Sequence, residues 1–435
     1  MKDTGTDPGD AAGAAGDADP AGAHPGPETT DAATTDGATT DAAAGDADAR
    51  LAELMDMAAP QPRYARMVRQ GVVMPLPGLA IPSSREAVDT VLRHHEVFTS
   101  EFGLDLGNVR PLIPLSVDPP RHSKYRKILD PLFAPKRMDA IEADVAGRVD
   151  HFIDTFIDRG ECNFTEEFAQ LFPASVFLGL MGLPWDELTT FLRLRDGILR
   201  PEAIDPEAAL DIPKRQAIAR ATGQKIYTYF GEMLDARQVR PSDDILTHFL
   251  TAEIDGEKLT RDDILDICFL FLIAGLDTVS DSLTCFYAFL ATHPDHRQQL
   301  VDNPAVIPAA VEELLRWETP VPGVPRMTKV DYTVAGTVIS AGTMISVNVG
   351  AANVDPAEFA NPDEISFQRQ GNRHLAFGGG VHRCLGSHLA RRELRVTLRQ
   401  WHRRIPDYRI KPGHEHLEYS PGLRHVKDLT LTWTT

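Results

Sequence analysis

Cysteine is scarce in this chain. Cys162, Cys268, Cys285 and Cys384 are its only cysteines in 435 residues. They form no CxxC pair and no disulfide-framework spacing, which excludes a stapled secreted scaffold and points to a reducing cytoplasm. Long apolar runs are also lacking. The longest, Ile267 to Leu276, is too short to cross a bilayer, and the N-terminus has no apolar core of a secretory signal, so no membrane anchor is expected. Positive charge is in deficit: 44 basic residues face 63 acidic ones, a net charge of −19, which argues against a nucleic-acid partner. Residues 1–48 contain no Phe, Trp, Ile, Leu or Val. Such a stretch buries too little apolar surface to offset its ordering entropy and reads as a disordered, acidic, low-complexity tail.

The remainder, residues 49–435, reads as one large domain. With 43% hydrophobic residues overall, the chain can build a sizeable core. Helical periodicity dominates and predicts helices over 85–94, 120–132, 138–159, 165–181, 185–199, 213–236, 242–252, 260–292, 304–317 and 387–404. A small β part is expected at 71–81, in hairpin-like stretches at 332–338 and 344–349, and near 417–433. The fold class is therefore mainly α with a minor β part. No internal repeat is evident.

The densest signal is Phe377-Gly-Gly-Gly-Val-His-Arg-Cys384-Leu-Gly386, with an amphipathic helix directly behind it. Glycines let the backbone approach a bulky partner closely, and such a loop can aim one sulfur, with backbone N–H donors around it, at a flat cofactor. The helix start adds a positive dipole near that sulfur. This chemistry suits an iron held by an axial thiolate. Phe377, Gly378, Gly380, Cys384 and Gly386 are spaced as in the haem-ligand loop of the cytochrome P450 family, which the segment closely resembles. From Phe367 to Gly413 the likeness is nearest to the soluble camphor-hydroxylating branch.

That resemblance implies a single haem domain carrying haem b, with Cys384 as the axial metal ligand and with neither flavin nor a second metal. It also gives roles to other segments. Thr260-Arg-Asp-Asp263 looks like a capping box that opens a long apolar helix. Within that helix, Ala274-Gly275-Leu276-Asp277-Thr278 resembles the oxygen-facing groove of the family. Asp277 and Thr278 would be the acid–alcohol pair that relays protons to dioxygen. Glu313-Leu-Leu-Arg316 resembles the ExxR brace. In the meander after it Val354 replaces a usual basic residue, so Arg369 is the expected partner of Glu313 and Arg316. His122, Arg126, Arg326 and His382 match positions that hold haem propionates, with His374 as a fifth candidate.

The activity implied is monooxygenation of a hydrophobic terpenoid, steroid or fatty acyl compound. Pocket candidates are Leu270, Ile273 and Ala274, Pro322 to Val324, Pro421 to Leu423, and the 102–112 loop, nearly all apolar. Electrons would come from a ferredoxin and its reductase, since no flavin or iron–sulfur domain is encoded. The cations Arg121, Lys124, Lys127, Lys136, Arg137, Arg391 and Arg392 flank the cysteine segment and are the expected docking face. Two alternatives remain open from sequence: a non-enzymatic haem sensor and a peroxide-driven peroxygenase.

Overall fold

The computed structural model describes residues 56–420 and 422–435, apart from the side chain of residue 254. The low-complexity tail lies outside them. In chain order the helices are α1 (Gln61–Gln70), α2 (Arg85–Arg93), α3 (Arg121–Leu129), α4 (Pro135–Ala140), α5 (Glu142–Asp154), α6 (Leu171–Met181), α7 (Leu188–Leu199) and α8 (Pro201–Ile204). There follow α9 (Ile212–Val239), α10 (Ile245–Thr251), α11 (Arg261–Thr292), α12 (Pro294–Asp302), α13 (Ile307–Glu318), α14 (Val349–Ala352) and α15 (Ser387–Arg404).

The axis of the molecule is α11. Its start is fixed by a capping box: the Thr260 hydroxyl accepts from the Asp263 N–H at 3.1 Å, and the Asp263 carboxylate accepts from the Thr260 N–H at 3.1 Å. Most of its 32 residues are buried around the whole circumference, as expected of a helix enclosed by others. Two apolar clusters wrap it. One takes the half up to Leu276, with α6, α7, α9 and α10. The other takes the half from Val279, with α5, α13 and α15. Asp277 and Thr278 therefore sit at the seam between two cores.

The β part is small. A five-stranded sheet runs in the order β1 (Val72–Leu76), β2 (Leu79–Pro82), β10 (Met344–Asn348), β7 (Gly323–Thr328), β3 (Phe98–Thr99), with β2 and β10 parallel. A three-stranded sheet joins β11 (Arg409–Ile410) and β4 (Glu161–Asn163) through a central strand, β12 (Thr430–Thr432). Two separate hairpins pair β5 (Glu253–Ile254) with β6 (Glu257–Lys258), and β8 (Tyr332–Val334) with β9 (Thr337–Ile339).

Several sequence expectations need correction. The 344–349 stretch is not a hairpin but an inner strand between β2 and β7; only 332–339 turns back on itself, through Ala335 and Gly336 at positive φ. The single helix expected over 138–159 is interrupted at Ile141, and the one over 165–181 starts with a π-turn at Thr165–Ala169. Helix α12 was not anticipated. Its sequence is almost wholly polar and only Arg297 and Leu300 are buried, so periodicity carries little signal there. Helix α1 was missed as well.

Candidate functional site

Cys384 sits at the end of a loop that is closed on itself. Its N–H donates to the Phe377 carbonyl at 2.9 Å, and the Gly378 N–H donates to Leu375 at 2.8 Å. Two glycines are required by geometry. Gly378 and Gly380 both have φ of +64°, and a Cβ on Gly380 would lie 2.0 Å from the Leu92 carbonyl oxygen of α2. Gly386 differs: its φ of −78° is open to any residue. Its contribution is an N–H aimed at the Cys384 sulfur. Cys384 is the one exposed cysteine; the other three are buried. Protein still surrounds its thiol, and that enclosure raises the pKa. The Gly386 N–H and the charges of Arg126, Arg383 and Arg391 act in the opposite sense. The Arg391 guanidinium covers the Phe377 ring at 4.3 Å.

Leu385, next to the cysteine, packs against the apolar cluster that also contains Ile273 and Leu276 of α11. There the burial of α11 is interrupted. Ala274 is exposed, and Gly275 and Thr278 are half-buried, while their neighbours are buried. A Cβ on Gly275 would lie 2.9 Å from Phe177, so the glycine lets α6 approach. The Thr278 hydroxyl donates to the Ala274 carbonyl at 3.2 Å, one turn back. Asp277 is 2% exposed. Its Oδ1 lies 3.3 Å from Arg195 Nη1 and 3.2 Å from Arg200 Nη2, both carried by the end of α7. Neither arginine was singled out from sequence. Nothing in their spacing links them to a residue about 80 positions later.

A cluster of basic side chains borders the cysteine loop. His122 on α3 and His382 in the cysteine loop face each other with ring centroids 4.3 Å apart. The Nε2 atoms of both are buried without a hydrogen-bond partner. Burial, then Arg126, pushes His122 down to about 4; burial, then Arg326, pushes His382 down to about 3. Arg326 on β7 is 6% exposed, and burial lowers it to about 10. Asp118 lies 3.7 Å from His382 and is already occupied by Thr99, the Ser100 N–H and Lys329. Arg126 donates to the Arg383 carbonyl at 2.8 Å and pairs with Asp130 at 2.6 Å, tying α3 to the residue before Cys384. A buried donor set with so little anion fits the two carboxylates of a haem, as the exposed sulfur of Cys384 fits its iron. His374 does not fit in this way. Its Nδ1 accepts from the Ala376 N–H and its Nε2 faces Glu312 at 3.1 Å, so both nitrogens are taken.

Glu313 and Arg316 are both 0% exposed. Arg316 donates to both carboxylate oxygens of Glu313, at 2.9 and 2.8 Å, and to the carbonyls of Asn353, Pro362 and Glu364. Arg369 Nε reaches the same carboxylate at 3.0 and 2.9 Å, and Asn372 reaches it at 3.0 Å. Burial works to raise the Glu313 carboxyl, but Arg316, the Ser366 N–H and Arg369 bring it below the usual carboxylate range. The cluster fixes α13 to the irregular segment that leads into the cysteine loop.

Of the pocket candidates, Leu270 and Ile273 are buried and Pro322, Val324 and Leu423 are half-buried; Pro421 lies outside the described residues. The 102–112 loop is docked on α9. A Cβ on Gly223 would meet the Gly107 carbonyl at 2.1 Å, and Arg110 pairs with Asp266 of α11 at 2.9 Å. Part of the expected docking face is corrected. Arg391 binds Glu312 and Arg392 binds Asp139 and Glu142, so both are internal braces.

A family model described as Cytochrome P450 matches residues 83–404. The chain is 36% identical over 349 residues to "Probable cytochrome P450 127A1" of Sinorhizobium fredii, covering 80% of each chain. It is 32% identical to "Steroid C26-monooxygenase" of Mycobacterium tuberculosis, covering 77% of this chain and 88% of the relative. Among solved structures, CYP101J2 superposes with a TM-score of 0.76 at 29% identity, covering 86% of this chain and 93% of that one. With the cysteine loop, the interrupted central helix and the buried Glu–Arg–Arg brace in one frame, the chain belongs to the cytochrome P450 family and is a haem-thiolate monooxygenase.

Proposed function

We propose that this enzyme hydroxylates an apolar small molecule of steroid, terpenoid or fatty acyl type, with dioxygen and with electrons from a ferredoxin and its reductase. The observation that carries the reading is the break in burial at Ala274–Thr278 in a helix whose neighbouring Leu270 and Ile273 are apolar, in a chain whose one exposed cysteine is Cys384. The relatives named for a steroid C26-monooxygenase and for a methyl-branched lipid omega-hydroxylase support the substrate class.

Cys384 would be the axial thiolate of haem b, and His122, Arg126, Arg326 and His382 would hold its propionates. Bound there, the haem supplies activation of dioxygen, favoured by thiolate electron donation. The protein's own part is proton handling and positioning. Thr278 presents a hydroxyl at the break in α11, and Asp277 behind it supplies the acid, oriented by Arg195 and Arg200. Apolar walls exclude bulk water and orient a hydrophobic substrate.

Lys136 and Arg137 on α4 are exposed, and Lys124 and Lys127 are held only loosely by Asp255, at 3.8 and 3.9 Å. These four are the proposed landing site for an acidic ferredoxin, and their contribution falls with ionic strength. Among the described residues no helix is long and apolar enough to cross a membrane.

The test is a spectral titration with a library of steroids and branched lipids, followed by turnover with NADH, ferredoxin and ferredoxin reductase. A Soret shift with one compound and a product carrying one added oxygen atom are expected. Turnover with hydrogen peroxide alone, or ligand binding without turnover, would favour the peroxygenase or the sensor instead.

A further inference from the structure

One turn beyond Asp277 on the same helix stands a second buried acid. Asp281 is 1% exposed, and neither of its carboxylate oxygens has a hydrogen-bond partner. Leaving such a group without a function is costly in a core. Its contacts are few and specific. Arg200 Nη2, which lies 3.2 Å from Asp277, lies 3.8 Å from Asp281 Oδ1. The Nδ1 of His425 lies 3.3 Å from that same oxygen.

His425 is held there by both neighbours in sequence. The Arg424 carbonyl accepts from the Cys285 thiol at 3.2 Å, and the Val426 N–H donates to the Thr284 hydroxyl at 3.2 Å, so the C-terminal segment is pinned to α11 on either side of the imidazole. His425 retains 14% of its side-chain exposure, whereas Asp281 has almost none. The line Asp277–Arg200–Asp281–His425 thus runs from the centre of α11 toward solvent.

We propose that Asp281 and His425 are positioning residues for proton supply at Asp277, acting through Arg200, for which the two carboxylates compete. While the pair retains one proton on the carboxyl, Asp281 is neutral and Arg200 stays with Asp277. When that proton passes to Nδ1 and another leaves the imidazole from its far nitrogen to solvent, Asp281 becomes anionic. Arg200 is then drawn toward it, and Asp277, left with Arg195 alone, accepts and donates protons more readily.

The charged and titratable groups facing Asp281 are Asp277, Arg195, Arg200, His425 and the Cys285 thiol; those facing His425 also include Arg195, Arg200 and Lys427. Burial, then the Asp277 charge, pushes the Asp281 carboxyl well up, and burial, then Arg200, pushes His425 down to about 4, so near neutrality the shared proton rests on the carboxyl. The inference rests on reading Asp277 as the acid of the relay.

The experiment uses the haem-loaded full chain and compares Asp281→Asn, His425→Gln and Asp277→Asn with the parent. Infrared difference spectra of the ferric protein on raising pH should show a protonated carboxyl C=O stretch disappearing. Asp281→Asn should lack that band, and His425→Gln should keep it to higher pH. NADH oxidation with ferredoxin and reductase, without added substrate, should rise over the same window by roughly three- to tenfold, less than the ~10²-fold or more of a complete general acid. In Asp281→Asn the rise should vanish while haem content stays at the parental level. If Asp277→Asn is slow but Asp281→Asn and His425→Gln retain the parental pH profile, the inference is wrong and the relay reading stands. If Asp277→Asn matches the parent, the relay reading fails and the inference falls with it. A purely structural role for the pair would lower thermal stability without moving either profile, and that too overturns it.

Discussion

Glu313→Gln removes the charge at the centre of the brace while keeping the shape of the side chain. In the parent, the carboxylate takes donors from Arg316, Arg369, Asn372 and the Ser366 N–H. The amide keeps one acceptor and turns an N–H₂ toward two guanidinium groups. Arg316 is 0% exposed and cannot turn to water. Breaking a buried pair by neutralising one partner costs about 3–5 kcal/mol, a large part of the ~5–15 kcal/mol that holds a typical domain folded. The sign of the pH dependence follows from the lowered Glu313 carboxyl. A group depressed in the folded state contributes stability above its unfolded pKa, and that contribution is lost as pH falls through the folded value. The parent should therefore show an acid limb to which Glu313 contributes, and the variant should be weaker at neutral pH with a flatter limb. Thermal melting and haem retention of both proteins across pH measure this. A variant within about 0.5 kcal/mol of the parent, the scatter of ordinary surface changes, would refute the argument.

Three further outcomes are expected. Gly380→Ala places a methyl group against the Leu92 carbonyl at a positive φ, and should cost roughly 1–3 kcal/mol or more and weaken haem retention, measured by melting and by the haem-to-protein absorbance ratio. Thr278→Ala should leave folding intact and divert reducing equivalents to hydrogen peroxide, measured as peroxide released per NADH consumed. His122 is depressed to about 4 from a usual value near 6.5, so its contribution to stability is complete above about pH 6.5 and is lost as pH falls toward 4. Haem-free protein should lose roughly 3 kcal/mol from His122 over that range, His122→Gln should remove this limb, and haem loading should shrink it because propionates favour the protonated ring. Urea unfolding at several pH values reads all three states.

Much of the site was legible because its signals are local. The cysteine loop, the ExxR pair and the Ala274–Thr278 break each lie within a few consecutive residues, where positive φ, helix spacing and a polar pair in an apolar run are visible in the letters. Arg369 could be named because the usual basic residue of the meander is replaced by Val354. What stayed hidden depends on which distant segments the fold brings together. The arginines that hold Asp277 come from the end of α7, and His425 reaches Asp281 from the C-terminal segment. Glu312 occupies His374 and Arg391, and Asp139 and Glu142 hold Arg392, pairings between distant segments that no local pattern announces. Ion pairing across elements has no periodicity to read. The short strands followed a similar rule. Hairpins carry turn signals, whereas the parallel pairing of β10 with β2 is set by the sheet as a whole.

The central claim is that Cys384 is the thiolate ligand of a haem. The most direct measurement is the absorption spectrum of the dithionite-reduced, carbon monoxide-bound protein, for the parent and for Cys384→His. A strongly red-shifted Soret band in the parent, replaced in the variant by the band of an imidazole-ligated haem, is the result predicted. An imidazole-type band in the parent itself would contradict the account.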